Sequence, residues 1–124
     1  MTNPIVFISR NRIKQGKVDE FREHYKEGVS RLKSEKPDTL IHLAYENEAI
    51  TEVTVIRFFL NADALEAQIH GSDQRSKITY EFIEPTAIEI FGTPKTTTIE
   101  RMKQIAGSGV QVNIHPNFIG GFVR

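Results

Sequence analysis

A helical stripe of apolar residues between two strand-like runs constrains the fold most strongly. The stripe recurs every three or four residues and consists of Val18, Phe21, Tyr25, Val29 and Leu32. Such spacing places the side chains along one side of an amphipathic helix. Pro37 ends this helix, because the residue before a proline is pushed out of the helical region. The β-branched and aromatic run at residues 5–8 predicts a first strand, and the basic residues after Ser9 predict a strand end and turn.

The next part of the chain predicts a hairpin and two further helices. Residues 39–45 and 52–60 are predicted strands, joined by a short polar connection. Asn61 stands where a helix N-cap is expected, before a helix that runs to about His70, and Gly71 is a plausible stop. Ser72 can cap another helix.

That second helix contains Ile78 and Phe82 and is terminated by Pro85. Residues 86–91 predict a fourth strand. The resulting order is β-α-β-β-α-β, which is the ferredoxin-like arrangement of an α+β domain.

Residues 93–124 form an extension to this pattern. A helix is predicted over 94–106, and the alternating residues 110–114 predict a half-buried strand that adds to a sheet edge. An apolar tail follows at residues 118–123 and is expected to pack on a partner subunit. With 124 residues, the chain is expected to be one domain, with a core of about 4–92 and an extension of about 93–124.

Composition excludes several classes of function. Lys+Arg and Asp+Glu number 16 each, so the net charge is zero, whereas a nucleic-acid-binding domain needs a basic face. The chain has no cysteine, which rules out disulfides, thiolate metal sites and a cysteine nucleophile. No apolar run is long enough for a membrane span, and the N-terminus lacks a signal-peptide pattern. We therefore expect no nucleic-acid partner, no membrane and a cytoplasmic location.

Strand parity predicts a homodimer. One set of alternating residues is nearly all apolar and is expected to lie under the helices; it comprises Val6, Ile8, Ile41, Leu43, Tyr45, Thr54, Ile56, Phe58, Ile88 and Ile90. The other set comprises Ile5, Phe7, Ser9, Leu40, His42, Ala44, Val53, Val55, Arg57, Phe59, Ala87, Glu89 and Phe91. This second set is too apolar to face water alone, so two sheets are expected to pack face to face into a closed or nearly closed barrel.

The chain resembles the antibiotic-biosynthesis-monooxygenase-like domains of the dimeric α/β-barrel superfamily over about residues 4–92. The resemblance lies in the element order, in the Gly16-Lys17-Val18-Asp19-Glu20-Phe21 entry to the first helix, and in the stretch from Ala64 to Phe82. There a helix ends in a histidine that is followed by a serine and a second helix.

This resemblance implies a monooxygenase that uses O2 without metal or flavin. The substrate would be a small electron-rich aromatic molecule or quinol that supplies the electrons itself, so no cofactor is expected. Two alternatives stay open: a non-catalytic dimer that binds a small ligand, and a non-oxidative isomerase or cyclase on the same scaffold. Fold alone does not separate them.

The resemblance makes His70 the first candidate for a catalytic residue. A histidine can act as base or donor near neutral pH without special tuning. The alternative is a surface or capping histidine that stabilises the turn. Glu66 and His70 are spaced as two metal ligands could be, but two ligands without a third do not predict a metal, and we expect none.

Substrate-binding candidates come from the aromatic residues and from polar residues on the strands. The candidates are Tyr25, His42, Tyr45, Arg57, Phe58, Phe82 and Glu89. His42, Arg57 and Glu89 are expected on one face of three strands, either as a buried Arg57–Glu89 ion pair or as the polar floor of a pocket. Ser9 and Asn11 are expected to add hydrogen bonds there.

Overall fold

The computed structural model describes residues 4–70 and 72–124, and of Asp73 only the backbone. One five-stranded sheet, in the order β2-β3-β1-β4-β5, carries the helices on one face. The strands are β1 Ile5–Ile13, β2 Thr39–Glu46, β3 Glu52–Phe59, β4 Ile83–Phe91 and β5 Gln111–His115. The helices are α1 Val18–Glu35, α2 Ala62–Ile69, α3 Asp73–Thr79 and α4 Thr96–Ala106.

The strand pairing confirms the predicted ferredoxin-like α+β fold. Strand β1 lies between β3 and β4 and pairs with both antiparallel, while β2 pairs antiparallel with β3. Strand β5 runs parallel to β4 at the sheet edge, so the extension adds a strand as predicted. Asn61 caps α2 as predicted, because its side chain accepts a hydrogen bond from the backbone N–H of Ala64.

Two strands are longer than predicted. Strand β1 continues through the basic residues to Ile13, where a strand end was expected, because every second residue there still packs inward. Strand β4 begins at Ile83, so Pro85 lies inside a strand and does not end a helix. Pro85 faces Asn11 where the register shifts. At such an irregularity a missing N–H does not break the ladder.

Helix α3 differs most from its prediction. It ends at Thr79, so Phe82 lies outside it. The Ser72 side chain does not cap this helix; its hydroxyl donates to the Ile69 carbonyl over 2.7 Å. Ile78 in this helix is 43% exposed. The inward face of α3 is polar instead, because it meets a polar cavity.

The assignment of strand faces was reversed for β1, β2 and β3. Phe7 pairs with Arg57 and Ser9 with Val55, and all four lie on the face that the helices cover. Strand β4 follows its prediction, with Ile88 and Ile90 buried under the helices. Parity sorts residues into two sets, but it does not say which set the helices cover when both are largely apolar.

The side of the sheet that none of the helices α1–α4 covers is the open face. In β1, β2 and β3 it carries the residues that were predicted to lie under the helices. Its apolar residues are Val6, Ile8, Ile41, Leu43, Ile56 and Phe58. Leu43 is 44% exposed and Tyr45 is 62% exposed on this face. An apolar surface of this kind still indicates an interface.

The core consists of two clusters at the two ends of the helix-covered face. One joins Phe59 to Leu65 of α2 and Met102 of α4. The other joins Phe21 of α1 to Val53 of β3. The space between these clusters is the cavity described below. Beyond β5 the apolar tail is exposed, with Phe118 75% and Phe122 79% accessible. In the parts of the chain that the structure describes, no helix is long and apolar enough to span a membrane.

Candidate active site

A cavity of about 170 Å³ lies between the sheet and helices α1 and α3. The strands contribute polar and aromatic side chains to its wall, among them Phe7, Asn11, His42 and Arg57. Helix α1 contributes Tyr25 and helix α3 contributes Arg75. An apolar protein cavity of about 150 Å³ holds benzene. The cavity in this protein therefore has room for a small single-ring molecule.

Tyr25, His42 and Arg57 form a chain of hydrogen bonds along the cavity wall. Tyr25 Oη lies 2.8 Å from His42 Nδ1, and Arg57 Nε donates to His42 Nε2 over 3.1 Å. His42 and Arg57 are direct partners across strands β2 and β3. The sheet register therefore holds two members of the chain, and the apolar stripe of α1 brings in the third.

Arg57 determines which nitrogen of His42 carries the proton. A guanidinium group is a donor only, so Nε2 must be an unprotonated acceptor and the proton of the neutral imidazole sits on Nδ1. That Nδ1–H then donates to Tyr25 Oη. The hydroxyl hydrogen of Tyr25 is left to donate to another group.

Burial keeps the side chains of His42 and Tyr25 uncharged, and nearby positive charge adds to this effect at His42 only. Burial lowers the pKa of His42 to about 3, assisted by the charges of Arg57 and Arg75. Burial also raises the pKa of Tyr25 to about 12, opposed by the charge of Arg57. At physiological pH the cavity wall therefore presents an imidazole and a phenolic hydroxyl, both uncharged.

Arg57 has no carboxylate partner among the described residues. Its guanidinium lies over the Phe7 ring, with Cζ 4.9 Å from the ring centroid, and it donates a hydrogen bond to the neutral His42. The expected Arg57–Glu89 ion pair is wrong, because the two side chains lie on opposite faces of the sheet. Glu89 pairs with Arg10 at 2.9 Å instead.

Arg75 brings a second guanidinium to the same cavity. Its Nη2 donates to the Gly28 carbonyl over 3.4 Å. A Cβ at Gly28 would lie only 3.2 Å from this Nη2. The absence of a side chain at Gly28 thus lets the Arg75 guanidinium approach the backbone of α1.

Further polar groups complete the wall. The buried Asn11 donates to the backbone carbonyls of Ser9 and Val53 over 3.3 Å each. His24 Nε2 lies 2.7 Å from Thr79 Oγ1, and this hydroxyl donates to the Arg75 carbonyl. The Thr79 oxygen therefore accepts from the His24 ring N–H.

The structure brings only some of the sequence candidates together. Tyr25, His42 and Arg57 meet at the cavity. Tyr45 and Phe58 belong to the open face together with Glu89, away from the cavity. Phe82 does not line the cavity, but its ring centroid lies 5.5 Å from that of His24. The expected hydrogen-bonding residues Ser9 and Asn11 do line it.

His70 lies outside this cavity. It is exposed at the end of α2, where its backbone N–H donates to the Glu66 carbonyl over 2.8 Å. Its side chain borders a separate surface depression between α2 and α4. The structure therefore does not place His70 with Tyr25, His42 and Arg57.

Sequence reasoning missed Arg75 and Tyr80, which both line the cavity. The missed signal is the polar side of the short helix α3, where Arg75 and Thr79 are spaced i,i+4. Two polar residues at that spacing are normally read as a solvated face. Here they face inward because the space they meet is a cavity with polar walls.

Comparisons by sequence find no matching family model and no matching curated protein. Comparisons of structure find similar folds at low sequence identity. MupZ from Pseudomonas fluorescens superposes with a TM-score of 0.71 at 12% identity, over 99% of this chain and 96% of that one. SnoaB, a cofactor-independent oxygenase from Streptomyces nogalater, superposes with a TM-score of 0.64 at 13% identity, over 77% of this chain and 97% of that one.

A third relative is a protein from Bacteroides thetaiotaomicron named as a candidate antibiotic biosynthesis monooxygenase. Its TM-score is 0.61 at 19% identity, over 71% of this chain and 85% of that one. At such identities the likeness establishes the fold. This chain has the ferredoxin-like fold of the antibiotic-biosynthesis-monooxygenase-like proteins.

Proposed function

We propose that this protein is a cofactor-independent monooxygenase that oxidises a small electron-rich aromatic molecule or quinol in the cavity between the sheet and α1. The observation that carries the proposal is the Tyr25–His42–Arg57 chain, which aims a neutral phenolic donor and a guanidinium at a cavity of single-ring size. The fold shared with SnoaB, named as a cofactor-independent oxygenase, supports the same class.

The reaction balances with O2 as the only oxidant. A hydroquinone and O2 give a hydroxyquinone and water. One oxygen atom enters the ring as the new hydroxyl group, and the other leaves as water. The organic substrate is the reductant, so the protein's contribution is to bind the ring, orient it and stabilise negative charge on its oxygen.

The wall of the cavity matches that task. The Tyr25 hydroxyl and the Arg57 guanidinium donate hydrogen bonds to a substrate oxygen, which favours its deprotonated and more electron-rich form. His42 acts as a positioning residue, since its Nδ1–H holds Tyr25 and its Nε2 holds Arg57. The low pKa of His42 means that it stays neutral while doing so.

Oxygen uptake tests the proposal. We expect the protein to accelerate O2 consumption by methyl-substituted hydroquinones over their spontaneous oxidation. With isotopically labelled O2, one labelled atom per molecule should appear in the hydroxyquinone. Heat-denatured protein is the control for trace metals, because these would survive denaturation and still oxidise the quinol.

The other outcomes identify the alternatives. Substrate conversion that proceeds equally well without O2 would contradict the oxygenase and indicate an isomerase or cyclase. Saturable binding with no chemical change in either atmosphere would contradict any enzyme and indicate a ligand-binding protein.

We further propose that the open face forms the interface of a homodimer. Two of its arginines are paired within the face, Arg10 with Glu89 and Arg12 with Glu84. Glu52 and His115 also lie on this face, but the residues at its centre are apolar, which suits a second copy of the same face. The exposed tail is proposed to extend this contact, so that deletion of residues 116–124, which leaves β5 intact, weakens the dimer in sedimentation measurements. Unchanged dimer affinity would contradict the role of the tail.

A further inference from the structure

The cavity wall carries unbalanced positive charge. Arg57 and Arg75 both line it, and no Asp or Glu is among the described residues that do so. His42, which lies between Tyr25 and Arg57, is neutral and therefore does not balance the charge of the arginines. A guanidinium removed from water needs a partner, and an unpaired charge in such a place is costly.

The hydrogen bonds within the described residues leave most donors of both arginines without a partner. Arg57 contacts His42 through Nε, and its two terminal nitrogens contact no acceptor among the described residues. These terminal nitrogens form an edge that matches two oxygens of one anion. The Arg75 guanidinium makes one hydrogen bond among the described residues, the long one of 3.4 Å to the Gly28 carbonyl.

We propose that the cavity binds a small aromatic molecule that carries a carboxylate, and that Arg57 and Arg75 together neutralise this carboxylate. The proposal rests on the cavity of the proposed function being the ligand site. It narrows the substrate class to hydroxylated aromatic acids. The Phe7 ring, already stacked under Arg57, provides the apolar surface beside which the ligand ring packs.

Size and geometry favour a carboxylate over other anions. The cavity of about 170 Å³ accommodates one ring with a planar group attached. A carboxylate is planar and matches a guanidinium edge with two parallel hydrogen bonds. It is also fully ionised at neutral pH, so it brings one full negative charge to the two guanidinium groups without proton transfer.

Benzoate and benzamide provide a matched pair of probes. The two molecules have nearly the same shape, but only benzoate is charged at neutral pH. We expect benzoate to bind the wild-type protein at least about tenfold more tightly in calorimetry, since hydrogen bonds to a charged group are stronger than those to a neutral one. Arg75→Gln and Arg57→Gln should each remove most of this preference while leaving benzamide binding within about twofold.

Arg12→Gln is the matched control. Arg12 pairs with Glu84 on the open face, so its removal changes the net charge equally without touching the cavity. Thermal unfolding checks each variant. If Arg57→Gln fails to fold, Arg75→Gln and Arg57→Lys still test the proposal. Arg57→Lys retains the positive charge, so it is expected to keep part of the preference for benzoate over benzamide.

The proposal would be overturned if benzoate did not bind, or if benzoate and benzamide bound with equal affinity. It would also be overturned if Arg12→Gln reduced the benzoate preference as much as Arg75→Gln does, because that would indicate a general charge effect. Binding requires no turnover, so oxygen uptake without a benzoate preference would overturn only this inference. A benzoate preference without turnover of any quinol would overturn only the oxygenase.

Discussion

His42 links the candidate site to the stability of the fold. It accepts from Arg57 on one side and donates to Tyr25 on the other, and both contacts need its neutral form. Strand spacing predicted that His42 and Arg57 share a face, because residues of one parity do so. The contact of His42 with Tyr25 could not be predicted from the sequence, since it depends on which face of the sheet α1 covers.

Acid should destabilise the protein through His42. Its pKa is lowered from 6.5 to about 3 in the folded protein, so the unfolded chain binds the proton first. Stability is therefore retained above pH 6.5 and lost as the pH falls toward about 3, by an amount on the order of a few kcal/mol. His42→Gln keeps an acceptor for Arg57 and a donor for Tyr25 but cannot titrate.

Urea unfolding at a series of pH values measures this effect. We expect the stability of the wild type to fall more steeply with acid than that of His42→Gln. The comparison concerns slopes, because the two proteins also differ in their contacts at high pH. Parallel slopes would mean that His42 is not the group that titrates.

At the level of elements, the sequence predicted those features that depend on interactions between residues close together in the chain. The cap at Asn61, the stripe of α1 and the edge position of β5 follow from hydrogen bonding and periodicity along the chain. The end of α3 and the start of β4 were missed. Both depend on the register shift opposite Pro85 and on the cavity, which are tertiary features without a signal in neighbouring residues.

Helix α4 contains a buried hydroxyl whose removal should stabilise the protein. Thr98 is 3% exposed, and its Oγ1 has no hydrogen-bond partner within the described chain. Thr98→Val keeps the shape and removes the unsatisfied group, so the free energy of unfolding should rise by about 1 kcal/mol. Thr97→Val, at the exposed neighbouring position, is the control in urea unfolding. A destabilised Thr98→Val protein would show that the hydroxyl does have a partner.

At the level of the whole molecule, the alternation of strand residues predicted that both faces of the sheet are largely apolar, so that one apolar face is left uncovered by the helices. The prediction chose the wrong face as the uncovered one. The set that contains Ser9, His42 and Arg57 was predicted to face away from the helices, whereas these three residues line the cavity. The expectation of a face-to-face dimer stays a prediction, now for the open face. Sequence patterns do not reveal a cavity, because its volume depends on how side chains pack in three dimensions.

A charge on the open face should separate the proposed dimer. Leu43 is 44% exposed at the centre of the β2–β3 pair, and Leu43→Asp would bury a carboxylate in the interface. We expect a dimer for the wild type and a monomer for this variant in sedimentation velocity. Ile78→Asp, at 43% exposure on the helix side, should remain dimeric. A monomeric wild type would refute the interface outright.

The central claim is that chemistry takes place at Tyr25 and its partners in the cavity, so the most direct measurement compares the rate of quinol-dependent O2 uptake in Tyr25→Phe and His70→Ala. Tyr25→Phe keeps the ring but removes the donor, and we expect a loss of about tenfold or more. His70 is exposed on the far side of α2, so His70→Ala should retain the wild-type rate. A wild-type rate in Tyr25→Phe together with a large loss in His70→Ala would contradict this account and place the chemistry at the end of α2.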